Sequence, residues 1–262
     1  MINRIRPTRR TIPTTLLWSL AALALFIHCP AVALGSSQES EATAPQEAAA
    51  FSEAELEQVL APIALYPDDL LVQILMASTY PLEVVEADRF AKANPDLKDD
   101  ALGAELDKKT WEASVKSLVN FPTVLDQMSQ KLDWTQKLGD AFLAQEADVM
   151  DSVQRLRQRA QDAGELKTTA EQKVVVQDKV IVIEPAKPEV IYVPSYNPTV
   201  VYGAWPYPAY PPTYYYPPRY AYPPAYGFVT GVAIGAAWGY AWGNFGWGSG
   251  WGNSRVKINI NK

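Results

Sequence analysis

The sequence predicts a mainly α chain: an N-terminal helical bundle, then a small extended or β unit, then a low-complexity tail rich in Tyr, Pro and Gly. Three observations predict it. Apolar residues recur at helical spacing from residue 51 to about residue 163. From Lys173 the pattern turns extended and β-branched, and between Val190 and Ser254 the single charged residue is Arg219.

Residues 1–33 read as an export signal. Arg4, Arg6, Arg9 and Arg10 make a positive start, Leu16 to Ile27 is apolar, and Ala31-Val32-Ala33 supplies small residues for cleavage. The apolar run falls short of the roughly 20 residues of a spanning helix, although counted on to Leu34 it also fits a retained N-terminal anchor. His28 stands before Cys29 where a lipobox wants a small residue, so lipidation is not expected. Arg9-Arg10 hints at twin-arginine export, but Pro13 sits where that motif wants an apolar residue, which leaves general secretion.

Cleavage after Ala33 takes with it the one His and the one Cys of the chain. A mature protein without them excludes disulfides, Cys or His nucleophiles, a His-based triad, and zinc sites of Cys and His. No cofactor, metal ligand or catalytic residue is expected, and an enzyme is the less favoured reading. Losing four arginines leaves 19 basic against 29 acidic residues, a net charge of −10. That balance speaks against nucleic acid and against anionic lipid heads as partners.

Residues 34–50 are small and polar and read as a disordered linker. The helical domain spans 51–163. Ser52 and Glu55 form a capping box, after which Leu56, Val59, Leu60 and Ile63 share a face until Pro62 and Pro67 force a stop. Pro67-Asp68-Asp69 opens a second helix, and Pro81 to Asn94-Pro95 bounds a third. Trp111, Val115 and Leu118 form a further stripe, as do Trp134, Leu138 and Phe142. The last helix turns Val149, Val153, Leu156 and Ala160 inward and Arg155, Arg157 and Arg159 mostly outward, with Gly164 as its cap. Residues 164–204 make the small β unit: "KVVVQDKVIVIEP" suits a tight hairpin at Gln177-Asp178, and "EVIYVPSYNPTVVYG" adds two extended runs that Pro194 and Pro198 confine to an edge.

Residues 205–226 are a polyproline II arm. The units "YPPTYY", "YPPRYA" and "YPPAYG" begin at Tyr210, Tyr216 and Tyr222, so two turns separate each of these rings, and Tyr214, Tyr220 and Tyr226 line a second edge. The arm reads either as an adhesive aromatic surface or as a spacer. Residues 227–243 hold glycine at every fourth position: Gly227, Gly231, Gly235, Gly239 and Gly243. As a helix this is a glycine zipper with Trp238 and Trp242 near one end, for packing against a helix or a membrane. As a strand it alternates small and large residues. The alanines and the fourfold regularity favour the helix. Residues 244–262 are a Gly/Trp-rich tail ending in a short strand at Val256, Ile258 and Ile260.

The stretches "LAPIALYPDDLLVQILMASTYPLEVVEADRF" and "VVVQDKVIVIEPAKPEVIYVPSYNPTVVYG", with the Tyr/Pro tract and glycine-rich tail, resemble the bacterial exported family known as domain of unknown function 3300. The resemblance runs from about residue 51 to the end. It implies an envelope-directed protein with an N-terminal helical domain, and it brings no catalytic residues.

Among candidate sites, Asp68 and Asp69 read as helix-start acids serving the dipole, or else as acid/base or cation-binding groups. Tyr192, Tyr196 and Tyr202 read as a packing set or, with Asn197, as a glycan- or peptide-recognition face. The expected function is that of a non-enzymatic, exported envelope protein, periplasmic or membrane-associated, whose tail attaches it to membrane, cell wall or other copies. The alternatives are a glycan-binding module and a carboxylate-based enzyme or chaperone acting on envelope polymers.

Overall fold

The Ser52–Glu55 capping box forms as the sequence requires: Ser52 N donates to Glu55 Oε2 at 2.9 Å and Glu55 N to Ser52 Oγ at 3.4 Å. It opens α1 (Glu53–Leu60). The computed structural model describes residues 51–177, 179–214 and 226–233. After α1 come α2 (Asp68–Ser78), α3 (Pro81–Ala93), α4 (Asp99–Asp107), α5 (Ala113–Leu118), α6 (Pro122–Gln130), α7 (Leu132–Ala144) and α8 (Glu146–Asp162). The expected helix starts at Asp68 and Pro81 are both occupied. α8 ends at a left-handed Gly164 (φ +75°), and Glu165 N and Leu166 N both return to the carbonyl of Ala160.

Helix α2 is buried on most of its surface, with α5, α7 and α3 around it, while α3 lies on α6 and α1 on α8. Gly139 in α7 is what lets two backbones meet: a Cβ there would lie 2.4 Å from the carbonyl oxygen of Ser78 at the end of α2. The stripes predicted from sequence line this core, with Val115, Leu118, Leu138, Val149, Val153 and Leu156 fully buried.

The predicted hairpin is β1 (Gln172–Gln177) with β2 (Val180–Pro185), antiparallel from Gln172↔Pro185 to Gln177↔Val180. Its turn places Lys179 in the left-handed region at φ +73°. β3 (Val190–Tyr196) is the first of the two expected extended runs. The second run is not extended: Pro198–Val201 is a short helix, α9, because Asn197 caps it, accepting from Thr199 N at 3.0 Å, and Pro198 is preset for a first helical position.

β4 (Tyr226–Ala233) pairs antiparallel with β3, from Tyr196↔Tyr226 to Val190↔Ala233, with a bulge at Val193/Pro194 where proline has no N–H for the ladder. The helix favoured for 227–243 is therefore corrected over its first part. The period of two wins because β3 supplies partners for it. Gly231 stands opposite Tyr192, and a Cβ there would meet the tyrosine ring at 2.6 Å, so glycine leaves room for the ring to lie across the strand. Tyr192 then meets Phe228 edge-on, centroids 6.1 Å apart.

Candidate functional site

The α1–α2 connection, residues 61–67, is irregular yet buried, so its polar backbone needs partners from elsewhere. They arrive as side chains from distant parts of the chain. Just before the connection, Trp134 Nε1 donates to Val59 O in the last turn of α1 at 2.8 Å. Tyr196 and Tyr202 both donate to Ala61 O, at 3.0 and 2.6 Å, and Leu65 N donates to Tyr196 Oη at 3.3 Å. Tyr226 Oη donates to Gln172 Oε1 at 2.7 Å and lies 3.4 Å from Leu65 O. Tyr66, Tyr196, Tyr202 and Tyr226 form one aromatic cluster, with Tyr196 stacked on Tyr226 at 5.8 Å and edge-on to Tyr66 and Tyr202. Burial pushes all four phenols well above the ordinary tyrosine value, so they stay neutral, and Tyr196, Tyr202 and Tyr226 donate as neutral hydroxyls.

Arg157 completes this set. Its side chain is fully buried, which corrects the outward placement expected from the helix stripe. Nε donates to Ala64 O at 2.8 Å, Nη2 to Tyr66 O at 3.0 Å and Nη1 to Ile181 O at 2.8 Å, while Nη1 also pairs with Asp68 Oδ1 at 2.5 Å. Ile183 N approaches the same oxygen at 3.4 Å. One guanidinium thus ties α8, the α1–α2 turn, the start of α2 and β2 together. Residue 157 lies one helical turn beyond Val153, inside the apolar stripe, and that position was the available signal.

The acidic pair is split by this arrangement. Asp68 is 4% exposed; burial raises its carboxyl and the Arg157 charge opposes the rise. Asp69 is half-buried, and burial, then the Asp68 charge, then Glu184, push it up to about 7. It can therefore give or take a proton near neutrality. Among the described residues, no group of three or more His, Cys, Asp or Glu side chains is placed to hold a metal ion.

A second polar cluster sits between α1 and α8. Glu57 is fully buried and held by Arg155 Nε at 3.0 Å and by Arg159 Nη2. The arm begins on this face. Arg159 lies over the rings of Trp205 (5.5 Å) and Tyr207 (6.0 Å), and Tyr207 Oη donates to Glu53 Oε1 at 2.5 Å. Gln58 Nε2 donates to Pro211 O at 2.8 Å, and Thr213 N to Gln58 O at 3.1 Å. The start of the arm is thus docked backbone-down, with the Tyr210 and Tyr214 rings 37% and 50% exposed.

The sequence-derived site residues are thus distributed in four ways. Asp68 and Asp69 are adjacent at the α2 start, where the helix-start reading holds and the burial of Asp68 was missed. Tyr226, expected on the second edge of the arm, is instead packed into the tyrosine cluster, because it begins β4. Gly227 and Gly231 lie in β4, away from any helix zipper. Tyr216, Tyr220, Tyr222, Gly235, Gly239, Gly243, Trp238 and Trp242 lie outside the described residues. Glu57, Gln58 and Arg157 were not anticipated as site residues.

Among the described residues no single helix is long and apolar enough to cross a membrane. No solved structure matches the chain. A curated Escherichia coli (strain K12) protein described as "Uncharacterized protein YacH" is 48% identical over 197 residues, 63% of this chain and 32% of that protein. The chain thus spans about a third of the length of that relative. The family described as "Protein of unknown function (DUF3300)" matches residues 52–262, from the capping box through both long motifs and the tail, and the chain belongs to that family.

Proposed function

We propose that this is an exported, non-enzymatic cell-envelope protein, a folded helical platform whose aromatic and glycine-rich tail attaches it to membrane, cell wall or other copies of itself. The observation that carries the reading is the contrast between the two candidate sites. Asp68, the carboxylate offered for chemistry, is enclosed and committed to Arg157, whereas Tyr210 and Tyr214 are 37% and 50% exposed on a backbone anchored to α1. Enclosed charge serves the framework; exposed aromatic rings on a fixed backbone serve contact.

Fractionation of cells tests this. The informative truncation ends after Ala233, which keeps β4 in its sheet, and not at Tyr226, which would strip β3 of its partner. A full chain that pellets with the envelope and a soluble truncation assign attachment to the residues beyond 233. A full chain found wholly in the soluble cytoplasmic fraction overturns the proposal. The raised pKa of half-buried Asp69 favours one second reading, an enzyme or chaperone acting on envelope polymers. An Asp69→Asn variant that keeps its fold and loses the cellular phenotype would support that reading over attachment.

A further inference from the structure

The carbonyl of Gln58, in the last turn of α1, has no intrahelical donor because the residue four positions on is Pro62. It is used instead as one half of a bracket. Gln58 O accepts from Thr213 N at 3.1 Å and Gln58 Nε2 donates to Pro211 O at 2.8 Å. Pro212, between them, is buried. Trp205 Nε1 donates to the carbonyl of Tyr210 at 2.8 Å, closing the seat from the other end.

The unit Tyr210-Pro211-Pro212-Thr213-Tyr214 is therefore recognised through two backbone carbonyls, one proline ring and one N–H. None of these differs between the repeats. Tyr216-Pro217-Pro218-Arg219-Tyr220 offers the same groups in the same order, with the changed residue, Arg219, at the position where only the N–H is read. Proline also presets the extended backbone of each unit, so little ordering is needed on docking. The third unit runs into Tyr226 and β4, so the second unit is the copy we take as the exchanging ligand.

We propose that the Gln58 face of α1 is a receptor for the Tyr-Pro-Pro repeat, filled within one chain by its own first repeat and, between chains, by the second repeat of another copy. The inference rests on the self-association part of the proposed function and gives it a seat and an occupant. The chain's own first repeat competes as a tethered ligand at an effective concentration on the order of millimolar, so exchange shows best when that repeat is weakened.

The test uses the full chain and a fluorescein-labelled peptide of residues 216–225, YPPRYAYPPA, followed by fluorescence anisotropy. Pro212→Ala removes the buried ring of the resident repeat and leaves the seat intact; it should bind the peptide about tenfold more tightly than the unaltered chain. Adding Gln58→Ala should reverse that gain, and the peptide YPARYAYPAA should bind none of the three proteins. No binding to Pro212→Ala, or equal binding to all three proteins, overturns the proposal. Far-UV circular dichroism checks each variant. Should Pro212→Ala not fold, Thr213→Pro, which removes the N–H that Gln58 O accepts, weakens the resident repeat in its place with the same expected gain, and its failure to bind the peptide is equally fatal. Envelope association in cells without peptide binding leaves the attachment reading standing and removes only this one.

Discussion

Replacing Arg157 with Met tests whether the buried ion pair is the fastener between the helical domain and the β unit. Methionine fills similar length but returns no donor. Asp68, 4% exposed, would be left as an unpaired charge, and the carbonyls of Ala64, Tyr66 and Ile181 would each lose a partner. Removing one member of a buried pair costs about 3–5 kcal/mol, and a deserted buried acceptor about 1–3 kcal/mol. These contributions overlap, because Asp68 takes up a proton and the turn relaxes. A loss of about 4–6 kcal/mol is expected, a large part of the roughly 5–15 kcal/mol that holds a typical domain.

The pairing itself is isolated by a double-mutant cycle. Asp68→Leu alone buries the guanidinium beside an apolar chain; Asp68→Leu with Arg157→Met removes both charges. The double variant should be more stable than Arg157→Met alone, giving a coupling energy of at least about 2 kcal/mol between two residues in direct contact. Urea unfolding followed by tryptophan fluorescence and far-UV circular dichroism measures it. A coupling below about 0.5 kcal/mol, or an Arg157→Met variant as stable as the unaltered chain, would refute the reasoning.

Two further substitutions have signs fixed by the structure. The Asp69 carboxyl is raised to about 7, so the folded state holds its proton where the unfolded chain, near 3.9, does not. Its contribution is fully present below about pH 4 and is lost as pH rises towards 7. Asp69→Asn should flatten that slope and stabilise the protein at pH 8 by about 2–4 kcal/mol in urea melts, whereas an unchanged pH profile would deny the raised value. Gly139→Ala places a Cβ against the fixed backbone of Ser78, so α7 and α2 must part; a loss of about 1–3 kcal/mol is expected, and a neutral or stabilising effect would show that the helices have room.

The bounds of α1, α2, α3 and α8 were legible because each carries a local start or stop: Ser52 with Glu55, Pro67 before Asp68, Pro81, and Gly164. What escaped reading depends on partners far along the chain. Nothing local to Arg157 announces that the acceptors for its guanidinium lie 91 and 93 residues away, at Tyr66 and Ala64. The segment 226–233 was harder still, because its glycines satisfy a four-residue and a two-residue period together. β3, with Tyr192 opposite Gly231, decides between them. Asn197-Pro198 shows the reverse error: a local cap was present, and the β-branched residues after it drew the reading toward a strand.

The tyrosine cluster changes what a tail means in this protein. A tail that hung from the domain by a linker would transmit nothing to it. Here the chain beyond 233 leaves from β4, whose residues are paired with β3 down to Tyr196↔Tyr226. Tyr196 and Tyr226 are stacked, and with Tyr202 they hold the α1–α2 turn through Ala61 and Leu65. The same turn gives Arg157 two of its acceptors, and α1 just before it carries the Gln58 seat for the first repeat. Any load or ligand that fixes the tail therefore acts first on the β3–β4 ladder and next on the turn that joins the two ends of the arm. On the proposed reading, attachment and the repeat seat share that turn. Disturbing the Arg157–Asp68 pair, which sets the turn's position, should consequently alter peptide binding at Gln58 as well as stability.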